Sequence, residues 1–491
     1  MKKFTYNNKM HKRKYKTSYI IIGVAFLLLY GCNNDDDFTV KEDIVVQNFM
    51  WRAMNLWYFW QQDVEDLADN RFNSEKEYQD YLAETSDPDL FYKSLQVEED
   101  RFSFSNEDYT TLVNNLSGVS KSNGLEFGLV RYPSGENIFG YVRYIIPNSD
   151  AAGKDIERGD VFNRVNGVQL TLDNYVSLLF GDNDTYTLGL GTFSNGSVMD
   201  TNEEVTLTKF EGLAENPIFI AKTLDVQGTK VAYLMYNGFT NEYDEELNNA
   251  FGEFKANGAT ELVLDFRYNP GGSVNSSRLL ASMVYGTNTN DLYIKQRWNN
   301  KIQEQFDPSD LEDYFANTVD GKPLNTLNLS KAYVITSART ASASELLING
   351  LDPYVNTIKV GDTTTGKNEF SITMVDDPDN SYVYRSSREE NINPDNSWAI
   401  QPLVGRNENS VGFSDYTDGI APNIYQREDY GNLGILGEET EPLLARCLEE
   451  ITGASAKATT PVIYAKKELI GSEMFTAVKN NMWLDNPPGL K

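Results

Sequence analysis

The chain has 491 residues, of which 40% are hydrophobic and 12% aromatic, and this composition excludes an intrinsically disordered protein. Its 72 acidic residues outnumber its 43 basic residues, and the net charge of −29 excludes nucleic acid and anionic lipid surfaces as favourable partners. It contains a single histidine, His11, close to the N-terminus.

The first 31 residues have the pattern of a secretory signal. A basic stretch ends at Lys16, an apolar run of 12 residues follows over 19–30, and the segment closes on LYGC. The run is short for a membrane-spanning helix. The alternative to a cleaved signal is an anchor helix that stays attached. The residues around Cys32 resemble a bacterial lipobox, in which the cysteine is acylated. We therefore predict a signal peptide over 1–31, a lipidated Cys32, an acidic tether over 32–43, and attachment to the bacterial cell envelope, at the periplasmic face of the outer membrane or at the cell surface.

Removal of 1–31 would leave 36 basic against 72 acidic residues and no histidine. This excludes a Ser-His-Asp triad, a Cys-His dyad, an HExxH zinc site and histidine-ligated haem, so Lys, Asp, Glu or Tyr must carry any acid–base chemistry. With Cys32 lipidated, Cys447 has no partner for an intramolecular disulfide. Cys447 falls on the apolar face of the helix predicted in EPLLARCLEEITG, which favours a core thiol over a reactive one. We predict no metal and no cofactor.

Hydrophobic patterning divides the remaining chain into three regions and a tail. Helical spacing in IVVQNFMWRAMNLWYFW predicts a small helical domain over 44–117. Short β-rich runs predict a β domain over 118–212, with a hairpin at the Asn-Gly pair of NRVNGVQL. Strands alternate with helices over 213–455, which predicts an α/β core with largely parallel strand pairing. Residues 456–491 form a C-terminal extension.

Three polar turns follow predicted strands of the α/β core. The segment KAYVITSARTASASELLINGL places Ser342 at a helix start, where amide groups can stabilise an oxyanion, although Ser342 or Ser344 as a simple helix cap is the alternative. The segment NTIKVGDTTTGK places Lys367 after the next strand. If its amine is buried, its pKa falls and it can deprotonate a serine; the alternative is an ordinary solvated surface lysine. The segment LDFRYNPGG ends in Gly271 and Gly272, which either admit a ligand to the backbone or form an ordinary tight turn.

In this order, DFRYNPGG, ASASE and GDTTTGK resemble the motifs of the carboxyl-terminal processing peptidases, also called tail-specific proteases, and the serine-to-lysine spacing of 25 residues agrees as well. The resemblance implies a crotonase-like α/β peptidase core in which Ser342 is the nucleophile and Lys367 the general base. It also implies that the oxyanion amides come from Ala343 and from Gly271 or Gly272. Many members place a glutamine four residues after the lysine. Here that position is Ser371, which we expect to support the lysine with a shorter reach.

The β domain resembles the PDZ domain of the same family through GLEFG and SDAAGKDIERGDVFNRVNG. A PDZ domain captures a peptide C-terminus by adding the peptide as a strand and holding its carboxylate in loop amides. The resemblance therefore implies that proteins or peptides with free C-termini bind at a carboxylate-binding loop made of Gly124, Leu125, Glu126, Phe127 and Gly128.

These observations predict a membrane-anchored serine endopeptidase that recognises C-terminal tails and works through an acyl-enzyme. Two alternatives stay open. One is a non-catalytic PDZ-type peptide-binding lipoprotein on the same fold, which the serine at position 371 favours. The other is a hydrolase of a non-peptide substrate on the same scaffold.

Overall fold

The computed structural model describes residues 42–194, 197–286, 288–453, 468–475, 481–485 and 487. The predicted signal peptide, Cys32 and the tether as far as residue 41 lie outside the described residues. Within the described ranges, no helix combines the length and the apolar character needed to cross a membrane.

The N-terminal region is helical and is attached to the rest of the protein by its first helix. That helix buries an apolar face that includes Phe49, Ala53 and Trp57, and the Trp57 indole donates a hydrogen bond to the Ser381 carbonyl oxygen at 2.8 Å. The next two helices begin at Ser74 and Asp87, whose side chains accept hydrogen bonds from amides of the first turn. The elements of this region are α1 (Val45–Trp57), α2 (Glu75–Glu84), α3 (Pro88–Ser94), β1 (Phe104–Asn106) and α4 (Tyr109–Leu116).

A β-rich unit follows, with its core enclosed by one antiparallel sheet and a short helix. Asn166 and Gly167 have φ values of 52° and 77° and connect two paired strands, which confirms the predicted hairpin. The elements are β2 (Val119–Ser122), β3 (Leu125–Arg131), β4 (Ile138–Ile145), β5 (Val161–Val165), β6 (Val168–Gln169), α5 (Tyr175–Leu179), β7 (Thr185–Ser194), β8 (Ser197–Thr208) and β9 (Phe210–Ala214). The strands β3, β4, β5, β7 and β8 are neighbours in that order, β6 pairs with β5, and β2 pairs with β9.

The α/β core contains a six-stranded sheet whose central strands are parallel. The elements are β10 (Ile218–Val226), β11 (Thr229–Tyr236), α6 (Asp244–Ala256), β12 (Glu261–Asp265), β13 (Gly272–Ser273), α7 (Val274–Tyr285), β14 (Leu292–Trp298), α8 (Asn300–Gln303), β15 (Glu312–Tyr314), β16 (Thr318–Val319), β17 (Lys322–Pro323), β18 (Lys331–Thr336), α9 (Ala343–Leu351), β19 (Asn356–Gly361), β20 (Glu369–Ser371), β21 (Met374–Val375), β22 (Ala399–Gln401), β23 (Leu403–Asn409), β24 (Ile424–Tyr425) and α10 (Pro442–Thr452).

The strand order of this sheet is β10-β11-β12-β18-β19-β24, and every pair after β10–β11 is parallel. The predicted parallel pairing is therefore confirmed. Helix α10 packs on one face, where Leu443, Leu444 and Cys447 join the core, and the buried Cys447 is the core thiol that the helical pattern predicted. Because parallel strands end on the same edge, the turns after β12, β18 and β19 lie together.

Two strands from the C-terminal end of the chain complete two other sheets. They are β25 (Glu468–Gly471) and β26 (Met482–Trp483). Strand β25 adds to the edge of the β-rich unit beside β3, and β26 lies between β13 and β20 in a second six-stranded sheet, β13-β26-β20-β23-β14-β15. Part of the predicted C-terminal extension is therefore integrated into the fold.

Candidate active site

Ser342 stands at the start of α9, after the turn that follows β18. Its backbone has φ 64° and ψ −116°, a strained conformation for a residue with a side chain and one that clusters at functional sites. Its hydroxyl is buried and has no hydrogen-bond partner among the described residues. At this helix start the Glu345 carboxylate accepts a hydrogen bond from the Ser342 N–H at 2.7 Å. The hydroxyl of Ser344, by contrast, donates to the Asn269 carbonyl oxygen at 3.3 Å.

Lys367 lies in the turn after β19, and its side chain is fully buried. Its Nζ donates to Asn481 Oδ1 at 2.5 Å and sits 4.6 Å from the centre of the Phe102 ring. Burial lowers the pKa of the Lys367 amine to about 7, and the carboxylates of Glu369 and Asp100 oppose that shift only in part. A large fraction of this amine is therefore neutral near pH 7 and able to accept a proton.

Glu345 connects the turn that carries Ser342 to the turn that carries Lys367. Its Oε2 accepts from the Ser342 N–H at 2.7 Å and from the Lys367 N–H at 2.8 Å, so these two backbone nitrogens are at most 5.5 Å apart. Its Oε1 accepts from the Gly366 N–H at 2.6 Å. Burial raises the pKa of Glu345 to about 7, against the lowering effect of these hydrogen bonds. One carboxyl group thus joins the backbone at Ser342 to the backbone at Lys367.

The turn containing Gly271 and Gly272 packs directly against Ser342. The two glycines have φ values of 119° and 137°, and a Cβ atom on Gly271 would lie 2.5 Å from Ser342 Cβ. The Gly271 N–H donates to Asn269 Oδ1 at 2.9 Å, so Asn269 would have to release this amide before it could hold an oxyanion. Ala343 begins α9, and its N–H has no acceptor within the helix.

Ser371 touches the lysine's partner rather than the lysine itself. Its hydroxyl lies 3.0 Å from Asn481 Oδ1 and accepts from Gln401 Nε2 at 3.1 Å. Lys367 and Ser371 therefore meet at one amide oxygen, which belongs to a residue 114 positions after the lysine.

The predicted carboxylate-binding loop lies in the β-rich unit, at the start of β3. Leu125 and Phe127 are buried in the core of this unit, and the Gly124 backbone has a φ of 80°. The Phe127 N–H donates to the Ser472 hydroxyl at 3.0 Å, and that hydroxyl donates to the Glu126 carboxylate at 2.6 Å. Gly128 pairs with Gly471 of β25.

Sequence reasoning had missed the roles of three site residues. Glu345 is the last residue of ASASE, and its place in the first turn of α9 could have drawn attention to it. Phe102, which faces the lysine, and Asn481 stand in segments with no chemical pattern, so no signal in the sequence pointed to them.

Comparison with known proteins identifies the family. Residues 45–104 match the peptidase S41 N-terminal domain, and residues 230–405 match peptidase family S41. The second match contains Gly271, Gly272, Ser342, Lys367 and Ser371.

Two curated relatives are named carboxyl-terminal-processing proteases. The protein from Picosynechococcus sp. is 27% identical over 45% of this chain and 49% of its own length. The protein from Synechocystis sp. is 23% identical over 73% of this chain and 79% of its own length. The chain thus spans about half the length of the first. A crystal structure of a putative S41 protease from Bacteroides fragilis has a TM-score of 0.63 at 24% identity, covering 83% of this chain and 97% of that one, and shows the same mixed α/β fold. This chain belongs to peptidase family S41.

Proposed function

We propose that this protein is a lipid-anchored serine endopeptidase that uses a Ser342–Lys367 dyad on a crotonase-like core. The observation that carries the proposal is the fully buried Lys367 amine, with a pKa of about 7, on a turn tied through Glu345 to a serine whose hydroxyl has no described partner. A lysine can act as a general base only when it is uncharged, and burial is what makes that possible near neutral pH.

In the proposed reaction, the Ser342 hydroxyl attacks the scissile carbonyl while the neutral Lys367 amine accepts its proton. Backbone amides hold the oxyanion: Ala343 is the first candidate, because its N–H has no acceptor within α9, and Gly271 or Gly272 is the second. The lysine then returns the proton to the leaving amine, and water releases the acyl-enzyme. None of these steps requires a metal or a cofactor.

The proposed means of substrate selection is a PDZ-like β-rich unit. Leu125, Phe127, Val176, Leu179 and Phe180 line a cavity between β3 and α5, the place where a PDZ domain holds the last side chain of a peptide. Their apolar character favours protein substrates with an apolar C-terminal residue.

The proposed location is the bacterial cell envelope, with the lipid on Cys32 as the anchor. The net charge of −36 left after removal of residues 1–31 makes adhesion to anionic headgroups unfavourable, so attachment would depend on the lipid. Replacement of Cys32 by Ser should release the protein from the membrane fraction, and acyl labelling of that variant would reject the assignment.

The dyad is tested by cleavage of an unfolded reporter protein with an apolar C-terminus. Ser342→Ala and Lys367→Ala should each abolish cleavage, whereas Ser344→Ala, a change of the same type two residues away, should retain it. Cleavage by both dyad variants at the wild-type rate would disprove the assignment.

A peptide-binding protein without catalysis is the second candidate. The Lys367 amine bonds to Asn481, whereas the Ser342 hydroxyl has no partner among the described residues, and this arrangement favours a resting or inactive state. If the wild-type protein binds C-terminal peptides but cuts none of them, this second candidate is correct.

A further inference from the structure

A peptide that binds by strand addition would pair with the outer edge of β3. In this protein the chain's own C-terminal segment occupies that edge. Strand β25 pairs antiparallel with β3, with Glu468 opposite Val130 and Gly471 opposite Gly128. The next residue, Ser472, accepts a hydrogen bond from the Phe127 amide at the predicted carboxylate-binding loop. Strand β25 therefore has the direction and the position of a bound peptide whose chain runs towards the carboxylate-binding loop.

Two arginines, one buried and one partly exposed, form ion pairs with this segment. Arg143 on β4 is 2% exposed and pairs with Glu468 and, at 2.5 Å, with Glu473. In the described part of the chain, no other carboxylate pairs with Arg143. Arg339 donates to Glu468 at 2.8 Å and stands three residues before Ser342. Because an unpaired buried charge is costly, the site favours a strand that carries two carboxylates with this spacing.

A second piece of the same segment contacts the turns that carry Lys367 and Gly271. Strand β26 is parallel to β13 and also pairs with β20, so it passes between the Gly272 turn and Ser371. The Asn481 side chain binds the Lys367 amine, and the Asn481 carbonyl oxygen would lie 3.0 Å from a Cβ atom on Gly271. A substrate strand cannot lie along the same edge of β13 while these residues occupy it.

We infer that residues 468–475 and 481–485 act as an intramolecular peptide ligand, which occupies the edges of β3 and β13 and competes there with incoming substrates. Arg143 and Arg339 select its two glutamates, and the same arginines favour acidic residues in an incoming peptide. The competition with substrates rests on the proposed function, whereas binding of the segment does not.

The test separates the segment from the folded protein. A site for a specific protease is inserted directly after Gly453, the chain is cut, and the released segment is removed. A fluorescent peptide of residues 466–487 should then bind the cut protein, measured by anisotropy. A peptide in which Gln replaces Glu468 and Glu473 should bind at least about tenfold more weakly. The reporter protein should be cleaved faster after the cut, and added peptide should restore the slow rate.

Variants of the intact chain provide a measurement that does not depend on the cut. Arg143→Met should increase amide hydrogen exchange in β25 and β3. Arg131→Met, on the neighbouring strand β3 but paired with Glu136 at the surface, should not. Failure of the peptide to bind, equal binding of the two peptides, or slower cleavage after the cut would each overturn the inference. If the peptide binds as expected but neither cut nor intact protein cleaves the reporter, the inference stands and the proposed catalysis fails.

Discussion

Replacing Lys367 by Met removes the buried amine while keeping a chain of similar length, and it should change how stability depends on pH. The folded pKa is about 7 against an ordinary value of 10.5. Below pH 7 the amine is charged in both states, and the folded protein bears the full cost of burying that charge. Between pH 7 and 10.5 the unfolded chain binds more protons than the folded one, so the free energy of unfolding rises with pH.

The magnitude follows from the shift of about 3.5 pKa units, each worth about 1.4 kcal/mol, and is about 5 kcal/mol in total. About 2 kcal/mol of it falls between pH 7 and 9, because half of the folded amine is still protonated at pH 7. Urea unfolding of the wild type and of Lys367→Met should therefore give a stability difference that moves by about 2 kcal/mol in favour of the wild type over this range. Lys76→Met, at an exposed lysine, should give a curve parallel to the wild type. A constant difference between the wild type and Lys367→Met would refute the claim of a buried amine with a lowered pKa.

Two further substitutions test the geometry of the site. Glu345→Gln replaces one carboxylate oxygen by an amide nitrogen and leaves two buried donors unpaired, so it should cost about 2–6 kcal/mol of stability, measured by urea unfolding. Glu450→Gln, on an exposed helix face, should cost about 0.5 kcal/mol or less. Gly271→Ala places a Cβ atom 2.5 Å from Ser342 Cβ and should lower reporter cleavage by about 100-fold or more. Gly258→Ala, also at positive φ but with nothing within 4 Å, should leave cleavage unchanged. Normal stability of Glu345→Gln or normal activity of Gly271→Ala would contradict the described geometry.

The α/β core could be predicted from the sequence because its signals are local. The alternation of strand and helix patterns predicted the parallel sheet, and Asn166-Gly167 predicted a hairpin through its turn chemistry. Ser342 and Lys367 could be paired in advance because both follow parallel strands of that sheet, whose ends meet on one edge. The apolar face around Cys447 similarly predicted a helix that packs on the sheet.

The contacts that complete the site could not be predicted, because they join segments far apart in the chain. Asn481 reaches Lys367 only because β26 inserts between β13 and β20, and a two-residue strand has no detectable periodicity. Strand β25 is stabilised beside β3 by the pairing of Glu468 with Arg143, which are 325 residues apart. The role of Glu345 depends on the turn at Gly366 folding back over the start of α9.

The most direct test of the central claim is the pH dependence of Ser342 labelling by a fluorophosphonate, followed over hours in the intact protein with the modified residue identified by mass spectrometry. If Lys367 is the base, the labelling rate should rise about tenfold per pH unit below pH 7 and level off above it, and Lys367→Met should be slow at every pH. Labelling that is independent of pH, that is unchanged in Lys367→Met, or that falls on another residue would contradict the account.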